Sequence, residues 1–493
     1  MKNRNVLIIR IFSVTLSALI CLSALAGCGK NTDTEQASDT VSQTADTAVP
    51  AAPETSGENE GAQKDGLPSS DTQETTAAEN GYLEGLEGKW EMVYTLSHSE
   101  YGTDEPYDSC SMASDPYSAT SELYIENKYG KLIADYLYEG YESTLKYLGN
   151  ELVERKGAAY EGCENSDFYL VFSDPFAENG DEKKYTLLED GKLIGVSEST
   201  DGKKGTDDYY YYRNIDVYLK KDAPEMKNKE ELRYFETVTV SSLEELINNM
   251  DSNKKVILKD GTYDFSALDK RYIDDDHKKH LLGSDEIEDG YRTYTISDLS
   301  NFCIEAEHPG KVLICTREAY DPVMFFRYSN NLTLRGLVCG HEVEPGYCSG
   351  SVIGFEGGSG ITVDSCSLYG CGTYGIELHG CDHVNVTGSE IYECTYGLLD
   401  IYDSSDLDFE NCTFRDSKDM TMICIQNGTD IMFRKCTFKD NHINPSYSSC
   451  YFVDLSEYSD AVFEDCTFED NEYDLFSNRK VTQKNCTVND NSH

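Results

Sequence analysis

Four tetrapeptides near the C-terminus share one frame: Asn411-Cys412-Thr413-Phe414, Lys435-Cys436-Thr437-Phe438, Asp465-Cys466-Thr467-Phe468 and Asn485-Cys486-Thr487-Val488. The frame extends backwards through Ser365-Cys366-Ser367-Leu368, Gly388-Ser389-Glu390-Ile391 and Gly336-Leu337-Val338-Cys339. With the position of Cys412 as marker, the series reads 337, 366, 389, 412, 436, 466, 486, at intervals of 29, 23, 23, 24, 30 and 20. Such a period predicts stacked units whose extra residues fall in loops. Leu407, Phe409 and Phe414 recur as Ile431, Phe433 and Phe438, then as Ala461, Phe463 and Phe468. The period-2 alternation marks short strands with one buried face. Equivalent residues then stack at ~4.8 Å, giving interior ladders of Cys and Phe. Stacked cysteines have parallel Cβ vectors, a poor geometry for a bridge, so they read as small buried hydrophobes. Cys371 and Cys394 hold a turn position near Cys348, and a disulfide within that trio stays open.

The N-terminus addresses the chain. Lys2, Arg4 and Arg10 precede an apolar stretch, Ile11 to Ala26, too short to span a bilayer comfortably. It ends in Leu25-Ala26-Gly27-Cys28, which resembles a bacterial lipoprotein signal with its lipobox. The resemblance implies cleavage after residue 27, lipidation of Cys28 and anchoring on the exported side of the bacterial cell membrane; a plain secretory signal is the alternative. Residues 28–81 are expected to form the lipidated Cys and a disordered acidic tether. From 29 to 81 there are eleven Asp or Glu against Lys30 and Lys64, a net charge of 2 − 11 = −9, with Val41, Val49 and Leu67 the only larger aliphatics. A segment like that buries too little apolar surface to offset its ordering entropy.

At Tyr82 the composition changes. Strand-like runs follow at Lys89–Thr95, Glu122–Asn127, Leu132–Tyr138, Thr144–Leu148, Tyr169–Phe172, Tyr185–Leu188, Leu193–Val196 and Tyr209–Tyr212, with turn pairs Asp190-Gly191 and Asp201-Gly202. They predict an antiparallel meander or small barrel over 82–221. The Gly88-Lys89-Trp90 opening and Tyr212-Arg213 near the finish resemble a lipocalin-like domain. A disulfide between Cys110 and Cys163, the two cysteines here, is one of two open readings.

A charged connector, 222–235, leads into a region expected at 236–493. Ser241-Ser242-Leu243-Glu244-Glu245 reads as a helix start with a capping box, and Leu243, Leu246 and Ile247 form its apolar face. Val256-Ile257-Leu258 and the turn Asp260-Gly261-Thr262-Tyr263 follow. Helix, strand and turn together resemble the capped first coil of right-handed parallel β-helix proteins, the pectin-lyase-like superfamily. The expected fold class is therefore all-β: a C-terminal right-handed parallel β-helix preceded by a small lipocalin-like barrel. The resemblance implies polysaccharide-active or polysaccharide-binding relatives, while fold alone leaves function open.

The repeat frame also points to a surface. Eleven residues before each marker stand Phe326, Phe355, Leu378, Ile401, Ile425, Leu455 and Leu475, read as inward-facing. Their neighbours then face solvent in two columns. One column runs Phe325, Gly354, Glu377, Asp400, Cys424, Asp454, Asp474; the other runs Arg327, Glu356, His379, Tyr402, Gln426, Ser456, Phe476. In relatives of this fold, this strand commonly lines the substrate groove. Asp400, Glu377 and His379 are the candidate catalytic residues, with Tyr402, Arg327, Glu356, Gln426 and Asp454 as candidate substrate contacts. Carboxylates on neighbouring strands cannot both ionise freely, so one is pushed towards general-acid work. Their spacing suits retaining or inverting glycoside hydrolysis. Alternatively Glu356, Glu377 and Asp400 hold a Ca²⁺ that acidifies a uronate, as the resemblance to lyases implies. His341, in Gly340-His341-Glu342, is expected in a loop, structural or surface-exposed.

The net charge of −48 repels nucleic acid and bare polyanions, and favours neutral or Ca²⁺-bridged glycans as partners. The Asn-Thr-Asp, Asp-Asp, Gly-His-Gly and Arg-Ile-Lys series of polygalacturonases is absent from the frame. Three readings stand: a polysaccharide hydrolase or lyase, a non-catalytic glycan-binding or adhesion lipoprotein, and a rigid spacer whose acidic columns only solvate a sheet.

Overall fold

The computed structural model describes residues 85–492, apart from 103–106, 116–117, 141–142, 161–167, 174–181, 207, 269–279, 284–292, 345–347, 371, 445 and 447–450. The leader, Cys28 and the tether lie outside the described residues, as do Cys163 and Cys371.

The first unit is built from β1 (Gly88–Tyr101), β2 (Tyr107–Met112), β3 (Thr120–Lys128), β4 (Lys131–Glu139), β5 (Thr144–Lys156), β6 (Phe168–Phe172), β7 (Lys184–Leu187), β8 (Leu193–Asp201) and β9 (Tyr210–Lys220). Every expected strand is present; β2 is the addition. Strands β3 to β9 pair in sequence, and β1 closes the ring by pairing with both β3 and β9. The result is an eight-stranded antiparallel barrel with β2 laid along the far half of β1. Alternation puts Trp90, Met92, Leu123, Ile125, Tyr136, Phe172, Tyr185 and Tyr218 inside. Trp90 is buried and its indole N–H donates to the Leu86 carbonyl at 2.8 Å. Arg213 lies over Tyr160, and the cation over Trp90 is Lys220, its partner in the β1–β9 register. Cys110 is a buried free thiol in β2.

The second unit is a right-handed parallel β-helix. Three sheets stack along it: ten strands from Glu236–Val240 to Thr482–Lys484, a second sheet from Gly261–Asp264 onwards, and a third from Leu281–Gly283 to Val453–Leu455. A short helix, α1 (Leu243–Asn248), caps the open end, burying Leu246 and Ile247. Ser242 Oγ accepts from the Glu245 N–H, and the Glu245 carboxylate reaches back to the Ser241 N–H.

The tetrapeptide frame is a corner. The residue before each marker carries a left-handed backbone: Gly336 has φ of 70°, and Ser365, Gly388, Asn411, Lys435, Asp465 and Asn485 have φ of 53–57°. That conformation favours Gly, Asn and Asp, which accounts for much of the frame's composition. The marker itself turns inward and its carbonyl accepts from the next coil, as in Thr437 N–H to Cys412 O and Thr467 N–H to Cys436 O, both 2.9 Å. The thiols also cap spare carbonyls: Cys436 Sγ donates to Phe409 O at 3.2 Å. Cys348 and Cys394 are likewise free and buried. Phenylalanines stack behind the corner. Phe414, Phe438 and Phe468 follow at 4.8 and 4.9 Å, with ring planes 6–7° apart.

Two expectations fail. In the final coil Val453 bridges Ser477, so the chain needs only 486 − 477 = 9 residues to reach its marker, against 466 − 453 = 13 in the coil before. Leu475 is consequently 58% exposed, while Phe476 turns in and stacks on Phe452 at 5.5 Å. Asp474 and Phe476 therefore leave the two columns. His341 lies in a strand, Val338–His341, and is buried, with Nε2 hydrogen-bonded to the Asp321 carbonyl at 2.8 Å.

Candidate functional site

Third-sheet strands Met324–Arg327, Ile353–Glu356, Tyr374–His379, Gly397–Tyr402, Ile423–Gln426 and Val453–Leu455 pair in parallel and in register. Inward residues Phe326, Phe355, Leu378, Ile401, Ile425 and Leu455 stack directly. Their neighbours are thereby aligned outside: Phe325, Gly354, Glu377, Asp400, Cys424 and Asp454 in one column, Arg327, Glu356, His379, Tyr402 and Gln426 in the other.

Glu377, His379 and Asp400 come together. His379 Nε2 lies 3.2 Å from Asp400 Oδ2, a diagonal contact between neighbouring strands. The Tyr402 ring meets the imidazole edge to face at 6.2 Å. Burial pushes the Glu377 carboxyl up; His379 opposes this and the charge of Asp400 adds to it. Burial alone lowers the imidazole of His379, but the hydrogen bond and charge of Asp400 outweigh it and raise it. These are the directions expected of a carboxyl and an imidazole beside a second carboxylate in a partly desolvated cluster.

The outer candidates are engaged differently. Arg327 holds Glu356 through Nε at 3.0 Å and Nη2 at 2.8 Å, so these two neutralise each other at one end of the site. Asp454 accepts from Asn478 at the other end. Gln426 and Tyr402 are exposed. Of the three residues expected to hold a Ca²⁺, one is already paired. Glu356 is committed to Arg327, and the one convergent trio of potential ligands among the described residues is Asp260, Glu307 and His308, on exposed turns elsewhere.

Sequence reasoning passed over Tyr374 and gave Phe325, though placed in the outward column, no role. Tyr374 starts the Glu377 strand and lies over Gly397; a Cβ there would come 3.1 Å from its ring. Burial raises its phenol, with Asp400, Cys424 and Glu377 adding to the effect. The paired tripeptides Thr373-Tyr374-Gly375 and Thr395-Tyr396-Gly397 were the available signal. The Phe325 ring covers Gly354: a Cβ on Gly354 would lie 2.3 Å from it. That glycine lets an aromatic face lie one strand from Glu377. Two further clefts lie elsewhere, between the barrel side and the first sheet.

Residues 351–493 match the family model described as a right handed beta helix region. No curated protein matches the chain in sequence. Solved structures similar to it include an alginate lyase from Paenibacillus sp. str. FPU-7 (10% identity, 52% of this chain and 99% of that one, TM-score 0.27). Another is the surface adhesin PfbA of Streptococcus pneumoniae (10% identity, 52% and 89%, TM-score 0.24). A third is the tailspike protein gp49 of Pseudomonas phage LKA1 (11% identity, 69% and 58%, TM-score 0.23). Likeness this distant says nothing of activity.

Proposed function

We propose that the third-sheet face binds a neutral polysaccharide and cleaves its glycosidic bonds. The observation that carries this reading is the contact of His379 with Asp400 beside a Glu377 carboxyl whose pKa burial raises from its ordinary value. Glu377 protonates the glycosidic oxygen as the bond from the anomeric carbon breaks, and Asp400 forms the new bond to that carbon. Water then attacks, giving its proton to the Glu377 carboxylate and releasing Asp400. The retaining route needs carboxyls ~5–5.5 Å apart, within reach of side chains on neighbouring strands ~4.8 Å apart at the backbone. His379 holds Asp400 in place, and Phe325 and Tyr402 offer aromatic surface to sugar rings. Arg327 is already spent on Glu356, so it is not free to pair with a polyuronate.

The lipobox adds a location. We infer that Cys28 carries lipid and that the acidic tether holds the folded units off the exported face of the membrane; Cys28→Ala should abolish incorporation of labelled fatty acid.

The test uses the protein from residue 29 onward on a panel of neutral and uronate polysaccharides, with and without chelator, scored by new reducing ends and by binding. Asp400→Asn and Glu377→Gln should each lower turnover roughly 100-fold or more while binding persists. Wild-type protein that binds a glycan without cutting any would refute hydrolysis and support the adhesion reading.

A further inference from the structure

The junction of barrel and β-helix is latched by few side chains. Asp115, just past β2, accepts from its own Met112 N–H at 2.7 Å, from Arg233 at 3.0 Å and from Asn331 of the first sheet at 2.9 Å. Asn301, fully buried, donates to the Cys110 carbonyl at 2.7 Å. On either side of this latch a cleft opens over the first sheet, one of about 350 Å³ and one of about 390 Å³. Both volumes lie within the usual range of small-ligand sites, which favour domain junctions.

The lining is chemically selective. Under the first cleft, Thr333, Thr362 and Asn385 are aligned on three successive strands, presenting hydroxyl, hydroxyl and amide at ~4.8 Å intervals. Tyr234 walls this floor on the connector side. The second cleft is rich in serine hydroxyls, among them Ser118, Ser300 and Ser359. Cations at the junction are already matched. Arg233 pairs with Asp115 and Glu230, Arg335 with Glu305 and Asp364, and His383 lies against Asp382 and Asp406. A phosphate or uronate would therefore meet surplus carboxylate. Thr333 is already hydrogen-bonded to Tyr234, and an apolar ligand would leave the Thr362 hydroxyl and the Asn385 amide without partners. Sugar hydroxyls satisfy them.

We propose that this junction is a second binding site, for a neutral oligosaccharide lying along the Thr333–Thr362–Asn385 column. It stands apart from the third-sheet site and does not rest on the catalytic reading. Because the latch holds both walls in place, little ordering cost falls on binding.

Isothermal titration of the protein from residue 29 onward with cello-, malto- and xylohexaose, and with oligogalacturonate as charged comparator, tests this. The double variant Thr362→Val/Asn385→Ala changes only floor groups that are half-buried or exposed. Its unfolding midpoint should match the wild type. At least one neutral hexasaccharide should bind wild type and Asp400→Asn alike, and bind the floor variant at least tenfold more weakly. The proposal is overturned if no neutral probe binds, if the floor variant binds as wild type does, if oligogalacturonate is the tighter ligand, or if Asp400→Asn alone removes binding. The last outcome would place all recognition on the third sheet.

Discussion

Replacing Phe438 by Ala tests the stacking that organises the β-helix. The ring is fully buried, lies parallel to Phe414 at 4.8 Å and Phe468 at 4.9 Å, and meets the edges of Phe433, Phe452 and Phe463 within 6 Å. A buried Phe→Ala change costs about 3–5 kcal/mol through lost transfer and the cavity left behind. Here the upper part of that range is expected, because in-register neighbours above and below fix the ladder and the wall cannot collapse into the hole. In urea, at a slope of ~2 kcal/mol/M, this is a fall of ~2 M in the midpoint for the β-helix. Contacts in stacked coils are local, so the barrel transition should stay where it is. Val488→Ala is the control, since that side chain ends the same ladder and is half exposed. It should shift stability by no more than ~0.5 kcal/mol. A Phe438→Ala midpoint indistinguishable from this control would refute the stacked core.

Further outcomes follow from the corners and the acidic cluster. Cys436→Ser should cost less than ~1 kcal/mol, because Ser389 at an equivalent corner donates to Val363 O and Thr387 O as Cys436 does to Phe409 O and Arg434 O. In the native state Cys412, Cys436 and Cys466 should resist a thiol reagent and react only on unfolding, as titration with and without urea will show. Glu377 and His379 both hold their protons more tightly folded than unfolded, so their contribution is present at low pH and lost as pH rises through each raised value. Unfolding free energy should therefore decline from above the ordinary carboxylate value of 4.5, and again above 6.5. Glu377→Gln should flatten the first decline, measured by urea unfolding across pH; an unchanged slope would remove Glu377 from the coupled cluster.

Sequence alone determined what repeats. The corner needs a left-handed residue followed by a small buried one, and the core needs a flat ring or branched aliphatic at the same place in each coil. Each requirement is local and recurs coil after coil, so the frame around Cys412 marks the coils and places Glu377, His379, Asp400 and Tyr402 on adjacent strands. Period-2 runs likewise gave every strand that closes the barrel. Tertiary structure decided what happens once. The last coil shortens because Phe476 finds a better seat on Phe452 than counting from Cys486 allows. Arg327 is drawn to Glu356 and Lys220 to Trp90 by proximity across strands, which residue type does not announce. The junction clefts depend on Asp115 meeting Asn331, 216 residues away. Two units dock through a few unrepeated contacts of that length, and with no period to carry them they leave no pattern along the chain.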